Sequence, residues 1–176
     1  MPETKKSFDF INDIITGEKV PLIGPEENRQ TVARILLTKK GYAKEDIKRA
    51  VPIKILLGTG SYQSKIDLVV SVNGKSVMVI KCAAGSLGSR ERETLAAARL
   101  LESRPIPLSI VSDGCTAVVL NTKSGQIVGK GWEAVPTKKE ALKNLTDVVL
   151  PKLPQKRKEK EGLIFRSYDS MNVNVS

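Results

Sequence analysis

Asn73-Gly74 stands between two runs of strand-forming residues, Lys65 to Val72 and Ser76 to Cys82. The tightest hairpin turn needs positive φ at both central residues, which asparagine and glycine adopt at least cost, so the pair predicts an antiparallel hairpin. No other short signal in the chain constrains the fold as much. Val77-Met78-Val79-Ile80 is apolar on both faces, which places its strand inside a sheet rather than at an edge. A preceding strand is expected over Val51 to Leu57, with Gly58-Thr59-Gly60-Ser61 as the connecting loop.

Helices are expected on either side of this meander. Gly24 is placed as an N-cap and Pro25 as the first helical residue, with Glu26 and Glu27 in the first turn, where the helix dipole favours acids. Val32, Ile35 and Leu36 supply the apolar stripe, and Lys39-Lys40-Gly41 ends the helix. Ala43 to Lys48 is read as a helical turn. A second helix runs from about Arg90 to Ser103, stopped by Pro105 and Pro107, with Ala96-Ala97-Ala98 letting it lie close on the sheet. Strands over Leu108 to Val111 and Thr116 to Leu120 follow, then a polar turn region from Thr122 to Gly131. Thr137 and Glu140 form a capping box opening a last helix to about Leu150.

The order is helix, three strands, helix, two strands, helix. A helical crossover between the third and fourth strands makes them parallel neighbours, so the expected fold is α/β, a mixed central sheet of about five strands flanked by helices. Residues 1–24 are a lead-in segment in which Phe8, Phe10-Ile11 and Ile14-Ile15 form one or two helical turns. Residues 25–150 form the folded domain, and residues 151–176 form a basic tail, mobile or docked on a partner.

Composition narrows the function. The chain of 176 residues contains no histidine, which excludes Ser-His-Asp and Cys-His nucleophiles, histidine-ligated zinc and imidazole acid–base work. Any catalysis must run on carboxylates, lysine, hydroxyls or thiols. Two cysteines make no disulfide scaffold, and both are expected to be buried thiols; with no signal peptide in view, a cytoplasmic location is expected. No apolar run is long enough to span a membrane. Trp132 is expected to pack at the sheet edge. Lys+Arg 29 against Asp+Glu 19 gives a net charge of +10, the electrostatic footprint of a nucleic-acid binder. Of this, +3 lies in Lys152 to Gly162.

Three places carry candidate chemistry. Asp67 interrupts an otherwise apolar strand, where a buried acid needs a partner, a metal or an exposed face. Lys81 ends the neighbouring strand. Folding about Asn73-Gly74 pairs position 67 near 80 and brings Asp67 within side-chain reach of Lys81. The plainer alternatives are a solvent-facing acid and a lysine that snorkels to water. The third place is Gly85-Ser86-Leu87-Gly88-Ser89-Arg90-Glu91-Arg92-Glu93, where glycines, hydroxyls and a helix N-terminus suit a phosphate. Ser86, Ser89, Arg90 and Arg92 are its candidate phosphate or DNA contacts.

An acid on one hairpin strand, a lysine 14 residues later on the next, and an acidic first helix resemble the PD-(D/E)XK nucleases of restriction-endonuclease-like fold. The more specific resemblance is to the N-terminal domain of type I restriction enzyme R subunits and its small stand-alone relatives. Pro25-Glu26-Glu27-Asn28-Arg29-Gln30, Gly41-Tyr42, Lys65-Ile66-Asp67-Leu68-Val69-Val70, Val79-Ile80-Lys81-Cys82, Ile106-Pro107 and Val111-Ser112-Asp113-Gly114 follow in that family's order, over roughly residues 20 to 145. The resemblance implies Asp67 as a metal ligand and Lys81 as the residue that positions or activates the attacking water. It implies Glu27 or Glu26 as a further catalytic acid or ligand. The implied metal is magnesium, with manganese as a substitute.

The pattern places an acid two residues before the lysine, and this chain has Val79 there. Compensation would come from Glu91 or Glu93 on the following helix, or from Glu27. The leading expectation is a magnesium-dependent deoxyribonuclease that binds DNA, as a homodimer if it cuts both strands, with no small-molecule cofactor and no membrane. The alternative is a catalytically degraded nuclease fold that acts as a DNA-binding or interaction module. An acid about 5 Å from Asp67 would mark shared metal coordination. A basic structural protein would instead turn Asp67 and Lys81 to different faces.

Overall fold

A computed structural model describes residues 9–173. The Asn73-Gly74 turn is present, with φ of 51° and 73°. It joins the second and third strands of a six-stranded sheet. Strands β1 (Phe10–Asn12) and β2 (Lys19–Pro21) form a separate two-stranded hairpin, and helix α1 (Glu26–Thr38) follows. The sheet then takes β3 (Ile47–Leu57), β4 (Gly60–Val72) and β5 (Lys75–Cys82), crosses over through α2 (Glu91–Leu100), and adds β6 (Leu108–Ser112), β7 (Ala117–Asn121) and β8 (Ile127–Lys130). Helices α3 (Lys138–Asn144) and α4 (Gln155–Val173) complete the chain. Strand order is β3-β4-β5-β6-β7-β8, and β5–β6, the pair joined by the α2 crossover, is parallel while the other neighbours are antiparallel.

The two faces of this α/β sheet are covered differently. On one, Val32 and Leu36 of α1 and Ala141 of α3 pack on Leu68, Val70, Met78, Ile80 and Ile110. On the other, Ala96, Ala97 and Ala98 of α2 and Phe165 of α4 pack on Ile53, Ile55, Val69 and Val79. The alanine run does what its small side chains allow and brings α2 down onto the strands. Trp132 lies half-buried in a short turn beside β7 and β8, at the sheet edge.

Several expectations are corrected. Residues 10–21 form the β1–β2 hairpin, not helical turns; Phe8 lies outside the described residues. The cause is Asp13, whose Oδ1 accepts from the N–H groups of Ile15 (3.0 Å) and Thr16 (2.7 Å), with Gly17 at φ 76° closing the turn. Pro25, not Gly24, occupies the α1 N-cap. Strand β3 begins at Ile47, hidden in the sequence because Lys48 and Arg49 read as surface. A sixth strand, β8, lies inside the supposed polar turn region; as an edge strand it leaves Ile127 and Val128 exposed and shows no buried run. Helix α3 stops at Asn144. Cys82 is buried, but Cys115 is exposed in the turn before β7.

The largest correction concerns the tail. Gln155–Val173 is a helix whose Phe165 is 1% exposed. Its apolar contact is narrow, and four basic residues at its start, Lys156, Arg157, Lys158 and Lys160, mask it. Tyr62 of β4 donates to Asp169 Oδ2 at 2.6 Å, and its ring meets Phe165 edge-on. Burial and the Asp169 carboxylate push the Tyr62 hydroxyl up to about 12. Gly162 lets α4 approach β3, since a Cβ there would lie 2.7 Å from Ile55 Cγ2. Gly162→Val is therefore expected to cost about 1–3 kcal/mol in a urea melt through overpacking. An unchanged midpoint would mean that α4 does not press on β3.

Candidate functional site

The site begins with a register shift. Near the turn the ladder reads Val72↔Lys75 and Ser71↔Ser76, then Val70↔Met78, Val69↔Val79 and Leu68↔Ile80. Counting from the turn without the shift sets Asp67 against position 80; the shift carries it level with Lys81. The pairing ends at Leu68↔Ile80, and the Asp67 carboxylate enters where the ladder stops. Its Oδ2 accepts the Cys82 N–H at 2.8 Å, and Lys81 Nζ lies 3.8 Å from the same oxygen. The two side chains therefore share one site rather than turning to different faces, the arrangement expected of a basic structural protein.

Asp67 Oδ1 is taken by Arg29 of α1, whose Nη2 donates at 2.8 Å. Arg29 Nη1 pairs with Glu26, one turn earlier on the same helix. Glu26 in turn accepts from Gln30 Nε2 at 2.9 Å and from Arg49 Nη2 of β3 at 3.4 Å. Gln30 and Arg49 both reach Asp13 Oδ2, at 2.7 and 2.8 Å. On the far side, Lys81 Nζ lies 3.1 Å from Glu93 Oε1 of α2, and Arg90 Nη1 lies 3.6 Å from Glu93 Oε2. Four buried acids, Asp13, Glu26, Asp67 (8% exposed) and Glu93 (2% exposed), are thus interleaved with Arg49, Arg29, Lys81 and Arg90.

The electrostatics follow from this alternation. Burial alone would lower Lys81, but the Asp67 and Glu93 carboxylates overcome it and hold the ammonium above its ordinary 10.5. Burial likewise opposes Arg29, and Asp67 and Glu26 raise it. A lysine held that high is protonated at neutral pH and does not take a proton from water. Burial pushes the Cys82 thiol up, which keeps it an inert core group.

The sequence-predicted residues divide. Asp67 and Lys81 meet. Of the first-helix acids, Glu26 reaches the cluster, whereas Glu27, about 100° further around the helix, is exposed. Of the α2 acids, Glu93 reaches it, whereas Glu91 is half-buried and makes no ion pair with the cluster among the described residues. Ser86 and Ser89 are exposed, and Ser89 Oγ donates to the Ser86 carbonyl at 2.8 Å, closing the loop on itself. Arg90 turns inward to Glu93, while Arg92 is exposed and lines a different depression, so the four phosphate candidates do not form one cradle. Arg29, Gln30 and Asp13 were not assigned a role from sequence. Arg49 was not assigned one either, since Lys48-Arg49-Ala50 reads as surface.

The donor set does not fit a divalent cation. Both Asp67 oxygens are engaged, Val79 is buried among Ile53, Ile55 and Ala97, and position 83 is alanine. Glu26 and Glu93 are held by arginine and lysine. Among the described residues no three metal-ligating side chains come together to hold an ion. The space bounded by Asp67, Lys81, Glu93 and Phe165 is about 10 Å³, enough for roughly one water.

Comparison with known families decides the relationship. The family model for the type I restriction enzyme R protein N terminus (HSDR_N) matches residues 24–136. The chain belongs to this family. The R-protein N-terminal match covers Glu26, Arg29, Asp67, Lys81 and Glu93, and leaves outside it the β1–β2 hairpin with Asp13 and helices α3 and α4 with Phe165. No curated protein and no solved structure matches the chain. No helix among the described residues is long and apolar enough to cross a membrane.

Two outcomes follow from the network. Asp67→Asn leaves Arg29 and Lys81 short of a buried counter-charge and is expected to cost about 3–5 kcal/mol in a denaturant melt, against less than about 1 kcal/mol for exposed Glu27→Gln. Asp13 contributes to the acid limit. Burial would raise its carboxyl, but the Thr16 N–H, Gln30, Arg49 and the Ile15 N–H together hold it below 3.8. Its stabilisation is present above pH 3.8 and is lost as pH falls through the lower folded value. Asp13→Asn should flatten the stability profile below pH 4; a profile as steep as the natural protein's would assign the acid limit elsewhere.

Proposed function

We propose that this chain is a catalytically silent member of the type I restriction R-protein N-terminal family, which keeps the nuclease-like sheet as a scaffold for holding DNA without cutting it. The observation that carries this reading is Arg29, whose guanidinium bridges Asp67 and Glu26 and supplies from within the chain the positive charge that paired carboxylates would otherwise draw from a metal. Val79 removes the second strand ligand, and a protonated Lys81 cannot activate water. The net charge of +10 supports attraction to a phosphate backbone.

A second reading, a magnesium- or manganese-dependent nuclease, draws on the closeness of Lys81 to Asp67 and Glu93, at 3.8 and 3.1 Å. It requires Arg29 to leave Asp67. Incubation with supercoiled plasmid in magnesium or manganese separates the two. The silent reading expects no nicking above that of Asp67→Asn, with a retained gel shift on linear duplex, and a melting temperature indifferent to EDTA. Metal-dependent nicking that disappears in Asp67→Asn and in Lys81→Ala would overturn it.

A further inference from the structure

On the side of α2 away from Glu93, Arg92, Leu95 and Arg99 recur at helical spacing and face Arg157, Lys160 and Ile164 of α4. Between the helices lies an open groove of about 330 Å³, lined also by the Ser124-Gly125 turn. At Arg99 and Arg157 it continues into a second depression of about 170 Å³ that adds Lys123. Five cations line this track, and its one acid is Glu161.

Glu161 is buried and works as a clamp. Its Oε1 accepts from Arg99 Nη1 at 2.9 Å and from Arg157 Nε at 2.8 Å, while Arg99 Nε donates to the Thr122 carbonyl at 3.0 Å. Two guanidinium groups thereby share one carboxylate oxygen, and Arg157 stays 47% exposed. Gly125, at φ 75°, lets the turn approach Arg99, because a Cβ there would lie 3.3 Å from Nη2. Arg157, held by Glu161 yet open to solvent, and the exposed Arg92, Lys123 and Lys160 suit oxyanions presented in series.

The geometry points to this α2–α4 groove as the track for the phosphate backbone of duplex DNA, an assignment that rests on the DNA-holding function proposed above and locates it away from the Asp67 cluster. No aromatic side chain lines either depression, so the contact is to backbone rather than to stacked single-stranded bases. Its apolar lining, Leu95 and Ile164 in the first depression and Pro105, Leu150, Pro151 and Leu153 in the second, is too small to favour a lipid surface.

The test is fluorescence anisotropy of a labelled 24-base-pair duplex over a salt series, the length chosen at roughly two helical turns. The natural full chain is compared with Arg92→Glu/Lys160→Glu in the groove and with Lys139→Glu/Lys143→Glu on α3, across the sheet. All four positions are exposed, and the two doubles carry the same change in net charge. Matching melting temperatures establish that the variants fold. The groove double is expected to bind at least tenfold more weakly and to lower the salt slope by about two, the α3 double to stay within about threefold. Equal losses in both doubles, or a loss confined to α3, would overturn the groove and leave DNA holding intact. Binding absent in the natural protein would overturn DNA holding itself. Tighter binding of a duplex RNA or of poly-glutamate at the same groove residues would overturn DNA as the occupant.

Discussion

One guanidinium ties together elements that would otherwise meet through like charges. Arg29 comes from the first long helix and reaches the acid of the second sheet strand, while its other nitrogen holds an acid of its own helix. Without it, Asp67 would keep only Lys81 and the Cys82 N–H, Glu26 only Arg49 and Gln30, and the two carboxylates would lose the cation that joins them. The consequence is architectural as well as electrostatic. The start of α1 is pinned to the end of the β4–β5 ladder, and α1 then covers one face of the sheet. Gln30 and Arg49 extend the same logic to Asp13, and so anchor the small N-terminal hairpin to the main sheet.

Such a network is costly to assemble and more costly to break. Each ion loses hydration on burial, and the attraction between partners repays this only when geometry and hydrogen bonding are complete. Here the backbone N–H of Cys82 and the amide of Gln30 occupy acceptor positions that the cations leave open. The result is a centre that is internally neutralised. On the silent reading proposed above, that neutrality is the difference from a nuclease centre, which would keep donors aimed at the charge that develops on a phosphate. The same residue types can thus serve either end, and pairing decides between them.

The layered fold was legible because its signals are local. Asn73-Gly74 marked the hairpin, the Thr137–Glu140 box marked a helix start, and Ala96 to Ala98 marked a close helix–sheet contact. The Asp67–Lys81 approach was also legible, although the register that produces it was not, since a bulge of one residue leaves no trace in hydrophobic alternation. What escaped was set by long-range pairing. Glu26 and Glu27 are equivalent in sequence, and only the packing of α1 on the sheet decides which one turns inward. Arg49 reads as a surface residue until Asp13, 36 positions away, is placed beside it. Helix α4 looks like a solvated tail because its contact rests on Gly162, Phe165 and Asp169, set among charges.

The single parallel seam in the sheet has a consequence for how the chain assembles. Strands β3 to β5 are joined by tight turns, as are β6 to β8, so each meander closes through short loops. Pairing β5 with β6 must wait for the whole crossover, residues 83–107, to fold back and deliver Leu108 beside Met78. Closing that loop carries the largest entropic cost in the sheet. The seam, with α2 lying over it, is the pairing in the sheet that bridges the longest stretch of chain, so its two meanders are held together by the least local pairing of the sheet.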